Sequence, residues 1–407
     1  MTNEMKNVPA LRFPEFDGDW EEKKLKDISN KGMYGIGASA TEFDGENVYV
    51  RITDINESSR KINNDKLTSP DRLDKKYLLN ENDVLFARTG ASTGKTYIHK
   101  HYDRDKNYYF AGFLIKFEFK NNYLANFIFQ NTLTKRFENW VSVMSVRSGQ
   151  PGINSEEYGK LKMRFPSKVE QNKIGDFFSK LDRQIELEEQ KLAKLEEQKK
   201  GYMQQIFSQK LRFKDEIGND YPNWEIEKLG DLINEVNERT ISNNQYELLS
   251  STKNGLLSQE EYFKKKIGSK DSTGYKILRL NQLVLSPQNL WLGNINFNQR
   301  FDIGIVSPSY RIYNLSHHFD INFAKDLLKS PRYIYEYAQA SEQGASVVRR
   351  NLNLDLFYSI IISLPSIKEQ RKIGSFLNKL DKLIKKQSSK IGVLKQRKKG
   401  FLQKMFV

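Results

Sequence analysis

Phe165-Pro-Ser-Lys-Val-Glu-Gln-Asn-Lys-Ile-Gly-Asp-Phe-Phe-Ser-Lys-Leu-Asp182 is written twice in this chain, returning as Leu364-Pro-Ser-Ile-Lys-Glu-Gln-Arg-Lys-Ile-Gly-Ser-Phe-Leu-Asn-Lys-Leu-Asp381. The match runs on without a gap from Phe165–Phe207 onto Leu364–Phe406, and 19 of the 43 paired residues are identical. Chance identity would be far lower, and a repeat of this strength sets the organisation before other signals are weighed. Upstream, Leu11-Arg12-Phe13 and Trp20-Glu-Glu-Lys-Lys-Leu25-Lys-Asp-Ile28 resemble Leu211-Arg212-Phe213 and Trp224-Glu-Ile-Glu-Lys-Leu229-Gly-Asp-Leu232. The chain therefore reads as two halves, roughly residues 11–210 and 211–407. Their ends recur and their middles diverge, as expected of one scaffold holding two different working parts.

Each repeated C-terminal segment reads as a long helix. Ser167-x-x-Glu170 and Ser366-x-x-Glu369 fit a capping box, in which the Ser oxygen accepts the N3 amide and the Glu reaches back to the cap. Pro166 and Pro365 stand just outside, where no helical N–H is required. Beyond the cap, steps of four and three residues fall on Ile174, Phe178, Leu181, Ile185, Glu188, Leu192, Leu195, Lys199, Tyr202 and Ile206. In the second copy they fall on Ile373, Leu377, Leu380, Ile384, Gln387, Ile391, Leu394, Lys398, Phe401 and Met405. A seam sustained over several heptads is the requirement for a coiled coil. Twelve of these residues form the expected helix-pair interface: Ile174, Phe178, Leu181, Ile185, Leu192 and Leu195 facing Ile373, Leu377, Leu380, Ile384, Ile391 and Leu394. The alternative is two separate amphipathic helices, each lying on its own domain.

The middles carry short β-like runs between turn residues. Strands are expected within 47–53, 83–88, 110–119, 275–280, 283–286 and 309–313, with helices over 122–140 and 321–338. The loops between them are stocked for nucleic acid, because Arg bonds guanine bidentately, Asn and Gln bond adenine, and Lys, Ser and amides take phosphates. In the first half the candidate DNA-binding residues are Arg51, Arg88, Thr89, Ser92, Lys95, Tyr97, Arg147, Ser148 and Gln150. In the second they are Ser251, Lys253, Asn254, Gln288, Asn289, Trp291, Arg349, Arg350 and Asn351. Any one of these could be an ordinary polar loop residue; the pattern across both halves is what points to DNA.

Composition agrees. The 407 residues carry 66 Lys plus Arg against 51 Asp plus Glu, a net charge of +15, and such a surplus favours a polyanionic partner through counterion release. The absence of cysteine excludes disulfides, thiolate chemistry and Cys-type zinc sites. Four histidines leave little for a His-based metal centre, and no metal site is expected. No apolar run reaches membrane-spanning length and the opening residues lack an apolar core of signal-peptide length, so no membrane partner and a cytoplasmic location are expected.

Two motifs tempt toward catalysis. Gly90-Ala-Ser-Thr-Gly94-Lys95-Thr96 approaches a phosphate-binding loop, but Thr89 stands where G-x-x-x-x-G-K-[ST] needs its first glycine, and Tyr97–Lys106 does not read as the required helix. Gly35-Ile-Gly37 lacks the third glycine of a dinucleotide fingerprint. No paired His and carboxylate motif stands out, and no catalytic residue is expected. The competing readings are an enzyme that binds nucleotide at the Lys95 loop and a coiled-coil scaffold without DNA contact.

The doubled Pro-Ser-x-x-Glu-Gln-x-Lys-Ile-Gly-x-Phe-x-x-Lys-Leu-Asp resembles the conserved-helix signature of Type I restriction–modification specificity subunits. Val50-Arg-Ile-Thr-Asp-Ile55 and Asn82-Asp-Val-Leu-Phe-Ala-Arg88-Thr-Gly90 are similar to stretches of their target recognition domains, whereas the second half has Ser286-Pro-Gln-Asn289 in place of Arg-Thr-Gly. The resemblance covers nearly the whole chain. It implies an α+β fold class, with two pseudo-twofold-related globular recognition domains separated by two long antiparallel coiled-coil helices. The expected division is 1–164 and 211–364 for the domains, with 165–210 and 365–407 for the spacer helices. The implied role is non-catalytic: each domain reads half of a split, asymmetric site on double-stranded DNA, and the helices span the unread gap. The implied partners are two methyltransferase (modification) subunits and restriction/translocase subunits. These would bring S-adenosylmethionine, ATP and magnesium, with no cofactor in this chain.

Overall fold

Side chains of Val84-Leu-Phe-Ala87 alternate between two cores, and that alternation organises the first half. The computed structural model describes residues 7–57, 59–100, 105–253, 255–263, 271–343 and 350–407. In it all four of these residues are buried. Val84 and Phe86 join the cluster of Trp20, Phe117, Phe127 and Tyr158, while Leu85 and Ala87 join that of Val48, Tyr97 and Phe110. A strand with both faces covered reads as a continuous apolar run and still obeys period two.

By packing, the chain divides into residues 1–189 with 389–407 (unit 1) and residues 190–388 (unit 2). The repeat breaks the sequence near residue 210; packing breaks it inside both long helices. Each unit therefore owns the start of one long helix and the end of the other.

In unit 1 an antiparallel sheet runs in the order Met33–Tyr34, Leu114–Phe117, Val84–Ala87, Thr96–Ile98. Asn47–Val50 pairs in parallel with Asn107–Phe110. A ribbon of Glu21–Lys24 against Lys162–Phe165 leads into the first long helix, Lys168–Phe207. Unit 2 repeats the sheet order with Ile233–Val236, Arg311–Leu315, Leu283–Leu285 and Ile295–Phe297. Its ribbon of Glu225–Lys228 against Ile361–Leu364 leads into the second long helix, Ile367–Met405.

Local differences from the sequence reading have local causes. The run 110–119 is two strand ends joined by a turn at Ala111–Phe113. The helix expected over 122–140 is two, Ala125–Asn131 and Lys135–Met144, because the Thr134 hydroxyl accepts the Phe137 amide and starts a new helix. That over 321–338 divides into Ile321–Leu327 and Pro331–Gln339, with proline in the first turn of the second.

The capping boxes are half correct. Ser167 Oγ accepts the Glu170 amide at 3.3 Å and Ser366 Oγ the Glu369 amide at 3.4 Å. The glutamates do not turn back to the cap. Both Glu170 oxygens take Arg12, at 2.8 and 2.7 Å, and both Glu369 oxygens take Arg212, at 3.0 and 2.7 Å. The next residue closes the joint: Gln171 bonds the carbonyls of Pro166 and Asn122 and the Leu124 amide, and Gln370 bonds those of Pro365 and His318 and the Asp320 amide. The repeated signature is thus a weld between each long helix and its own domain.

Within each unit the long helices run antiparallel. Unit 1 pairs Asp182 with Lys398 at 2.6 Å, Glu189 with Lys395 at 2.7 Å, and Glu188 with Lys390. Unit 2 pairs Lys199 with Asp381 at 2.7 Å and sets the Tyr202 ring against Phe376. Of the twelve seam residues, Ile174, Phe178, Ile185, Ile373, Leu377, Ile391 and Leu394 are buried, and Leu181, Leu192, Leu195, Leu380 and Ile384 are half-buried. Towards the helix ends the seam departs from strict heptads. Tyr202 and Phe401 keep to the seam, packing on Phe376 and Phe177 of the facing helix, but Leu402 and Phe406 join Met405 in the unit 1 core beside Trp20 and Phe127. There the partner surface is a whole domain, so the apolar stripe widens.

Candidate nucleic-acid interface

In unit 1 the central strand Val84–Ala87 ends at Arg88 and hands over to the loop 88–95. A second loop, 145–152, follows the helix Lys135–Met144. Backbone bonds join the two: Gly90 N–H to the Pro151 carbonyl at 2.9 Å, Ile153 N–H to that of Arg88 at 2.9 Å, and a bridge between Thr89 and Gly152. Thr93 Oγ1 donates to the Pro151 carbonyl at 3.2 Å. Gly94, at φ +85°, closes the first loop against Val141, where a Cβ would lie 2.5 Å from a methyl carbon.

The candidate residues fall into three groups. Ser148 and Gln150 are exposed, and Thr89 and Ser92 half-exposed, on the joined loops. Arg51 and Arg147 are tied to carboxylates. Arg51 bonds Asp54 at 2.9 and 2.8 Å, and that bond raises its pKa. Arg147 bonds both Glu157 oxygens at 2.6 Å and the carbonyls of Met144 and Val146, which makes it an organiser of its loop. Lys95 and Tyr97 are corrections. Lys95 is only 9% exposed and its ammonium donates to the Ile55 carbonyl at 3.3 Å; Tyr97 is 1% exposed, inside the core. Alternation along the strand that begins at Thr96 places them inward. The same geometry removes the nucleotide reading, since a phosphate loop must open into a helix and this one opens into the buried strand Thr96–Ile98.

Arg88 differs from its neighbours. Its guanidinium carbon lies 5.0 Å from the centre of the Tyr34 ring and 5.9 Å from that of Phe113. Both rings reach the surface, at 38% and 58% exposure. Neither aromatic is signalled near Arg88 in the sequence, because Tyr34 belongs to the sheet's edge strand and Phe113 follows the turn at Ala111.

Unit 2 places 286–294 where unit 1 has 88–95, between the matching strands of the matching sheet. Gln288 is exposed, Asn289 and Trp291 half-buried. Against this loop lies the hairpin strand Arg350–Leu352, with Arg350 4.3 Å from the Trp291 ring centre and Asn351 exposed. Lys253 is exposed in the turn after Leu249–Thr252. Ser251 is a correction: 4% exposed, it bonds Asn294 at 2.7 Å and Asn296 at 2.8 Å and so braces the loop from beneath. Asn254 and Arg349 lie outside the described residues.

A family model for the Type I restriction modification DNA specificity domain matches the chain twice, over residues 17–197 and 221–393. The chain belongs to the family of Type I specificity subunits. Among relatives of this specificity subunit, the Type I restriction enzyme MjaVIII specificity subunit of Methanocaldococcus jannaschii is 23% identical, over 97% of this chain and 93% of its own length. The crystal structure of the Type I restriction–modification S subunit from M. genitalium superposes with a TM-score of 0.59 at 14% identity, covering 98% and 99% of the two chains. A chain from a structure of type I complex assembly and conformational transition gives 0.54 at 13% identity, covering 96% and 98%. These structural likenesses are ones of fold. The specificity subunit carries two recognition domains, one per repeat. Among the described residues, no helix is long and apolar enough to cross a membrane, and no cluster of three His, Asp or Glu could hold a metal.

Proposed function

We propose that each unit reads one half of a bipartite, asymmetric DNA site, unit 1 through its two joined loops and unit 2 through the loop 286–294 with the hairpin strand Arg350–Leu352 beside it. The long helices dock two modification subunits and, through them, the restriction subunits. The partners supply S-adenosylmethionine-dependent adenine methylation and ATP- and magnesium-dependent translocation and cleavage, all in the cytoplasm; this chain contributes recognition and no chemistry. The observation that carries the reading is that both units set a loop between matching strands of a sheet of the same strand order, 88–95 in one and 286–294 in the other, with different residues on the loops. A shared frame with divergent loops is what two readers of different half-sites require.

Mapping methylated adenines in a genome that encodes the whole system, with and without this subunit, tests the proposal. Its loss should abolish methylation at one motif with two defined halves and an undefined gap. A methylation pattern indifferent to this chain would overturn the reading.

A further inference from the structure

The loop arginines differ in what already holds them. In unit 1, Arg51 is committed to Asp54 and Arg147 to Glu157. Arg88, at the seam between the two loops, meets no carboxylate among the described residues: its Nε is buried without a hydrogen-bond partner, and its guanidinium is bracketed by Tyr34 and Phe113. Unit 2 arrives at the same arrangement from different residues. Arg279, Arg300 and Arg311 are each paired with a glutamate. Arg350 sits where the hairpin meets the 286–294 loop, over Trp291, and among the described residues its guanidinium makes one hydrogen bond, a long 3.4 Å contact with the Ala338 carbonyl. A ring contact stabilises the cation and holds it in place without consuming a donor. Donors left without an acceptor are unfavourable until one arrives.

Taking the proposed DNA reading as its basis, we infer that Arg88 and Arg350 are the specificity-determining side chains of the two units, each reading one guanine through O6 and N7. Two parallel N–H donors of a guanidinium match those two acceptors, and no other base edge in the major groove offers the pair. Fixing the guanidinium against aromatic rings before DNA arrives lowers the ordering cost of binding. It serves a contact that depends on orientation more than it serves a phosphate contact, which a mobile lysine makes equally well.

The test uses the assembled methyltransferase complex with Arg88→Lys, Arg88→Ala, Arg350→Lys and Arg350→Ala, scored by genome-wide adenine methylation. Arg88→Lys keeps the charge and loses the fork. It should relax one G·C position of one half-site, lowering discrimination there by about tenfold or more, and leave the other half-site intact. Arg350→Lys should do the same to the other half. Fluorescence anisotropy of the complexes on a wild-type site, as a function of salt, supplies a second readout, because loss of a phosphate contact lowers the salt slope by about one. Uniformly weaker methylation with an unchanged motif and a reduced slope would make these arginines phosphate contacts and overturn the inference. So would relaxation at an A·T position. If the wild-type complex showed no motif dependent on this chain, the DNA reading itself would fail first. An alanine variant that does not fold leaves the lysine variants to decide.

Discussion

Glu170 and Glu369 are the most informative single residues outside the loops. Their side chains are 1% and 0% exposed, yet each is a charged partner of an arginine 158 or 157 residues away. The hydrogen bond to the glutamate raises the pKa of Arg12 and of Arg212. Removing one partner of a buried pair leaves an uncompensated charge, at a cost of about 3–5 kcal/mol. Arg12→Ala should therefore speed hydrogen exchange across the first turns of the helix that starts at Lys168, and Glu170→Gln in the same chain should recover part of the loss. A double variant whose effect is the sum of the two single effects would show that the pair is not coupled. The sequence carried half of this joint. The Ser cap is a local signal and was legible; the glutamate's partner is distant, and only the repetition of Leu-Arg-Phe in both halves hinted at it. In the loops the same limit applied: Arg88 was visible as a candidate, but Tyr34 and Phe113 meet it only after the sheet has formed.

At the scale of elements, the glycines of the long helices separate packing from mere exposure. A Cβ at Gly374 would stand 2.8 Å from Asn322 Cβ and 2.9 Å from the Phe323 amide nitrogen, so the helix Ile321–Leu327 would have to move. At Gly175 the nearest atom is the tip of Asn126 at 3.2 Å, which can give way. At Gly392 nothing lies within 4 Å, and the first copy already has Ala193 at the matching position. Gly374→Ala should lower the thermal midpoint and Gly175→Ala should lower it less. Gly392→Ala should raise stability by up to about 1 kcal/mol, because alanine loses less backbone entropy in a helix. A loss at Gly392 would mean that its face is packed. Heptad spacing located the helices, and its twelve interface positions are all buried or half-buried. Its positions at Tyr202 and Phe401 also meet the facing helix, on Phe376 and Phe177, but it left out Leu402 and Phe406, because a heptad describes a helix facing one other helix and near their ends these helices face domains. Strand Val84–Ala87 was legible for the opposite reason: a fully apolar four-residue run between turn signals has few other places to go.

For the whole molecule, the repeat made two recognition domains legible, whereas the exchange of helix ends between units was not, since it depends on antiparallel pairing rather than on any local run. That pairing also gives the gap-spanning role that the resemblance implies for the helices a sharp consequence. Inserting one heptad after Glu189 and another before Ser389 keeps every ion pair within its unit: Asp182–Lys398 and Glu189–Lys395 in one, Lys199–Asp381 in the other. It also preserves the apolar seam, because seven residues restore the same face. Seven residues add roughly 10 Å of helix, equivalent to about three base pairs at the rise of DNA. Methylation mapping of the lengthened subunit in complex should then return both half-sites unchanged, with the gap longer by about three base pairs. A heptad inserted into one helix only breaks the match between the paired residues and should abolish folding of the pair, not shift the gap. If the doubly lengthened subunit kept the original gap, some part of the complex other than these helices would be setting the distance, and the helices would serve for docking alone.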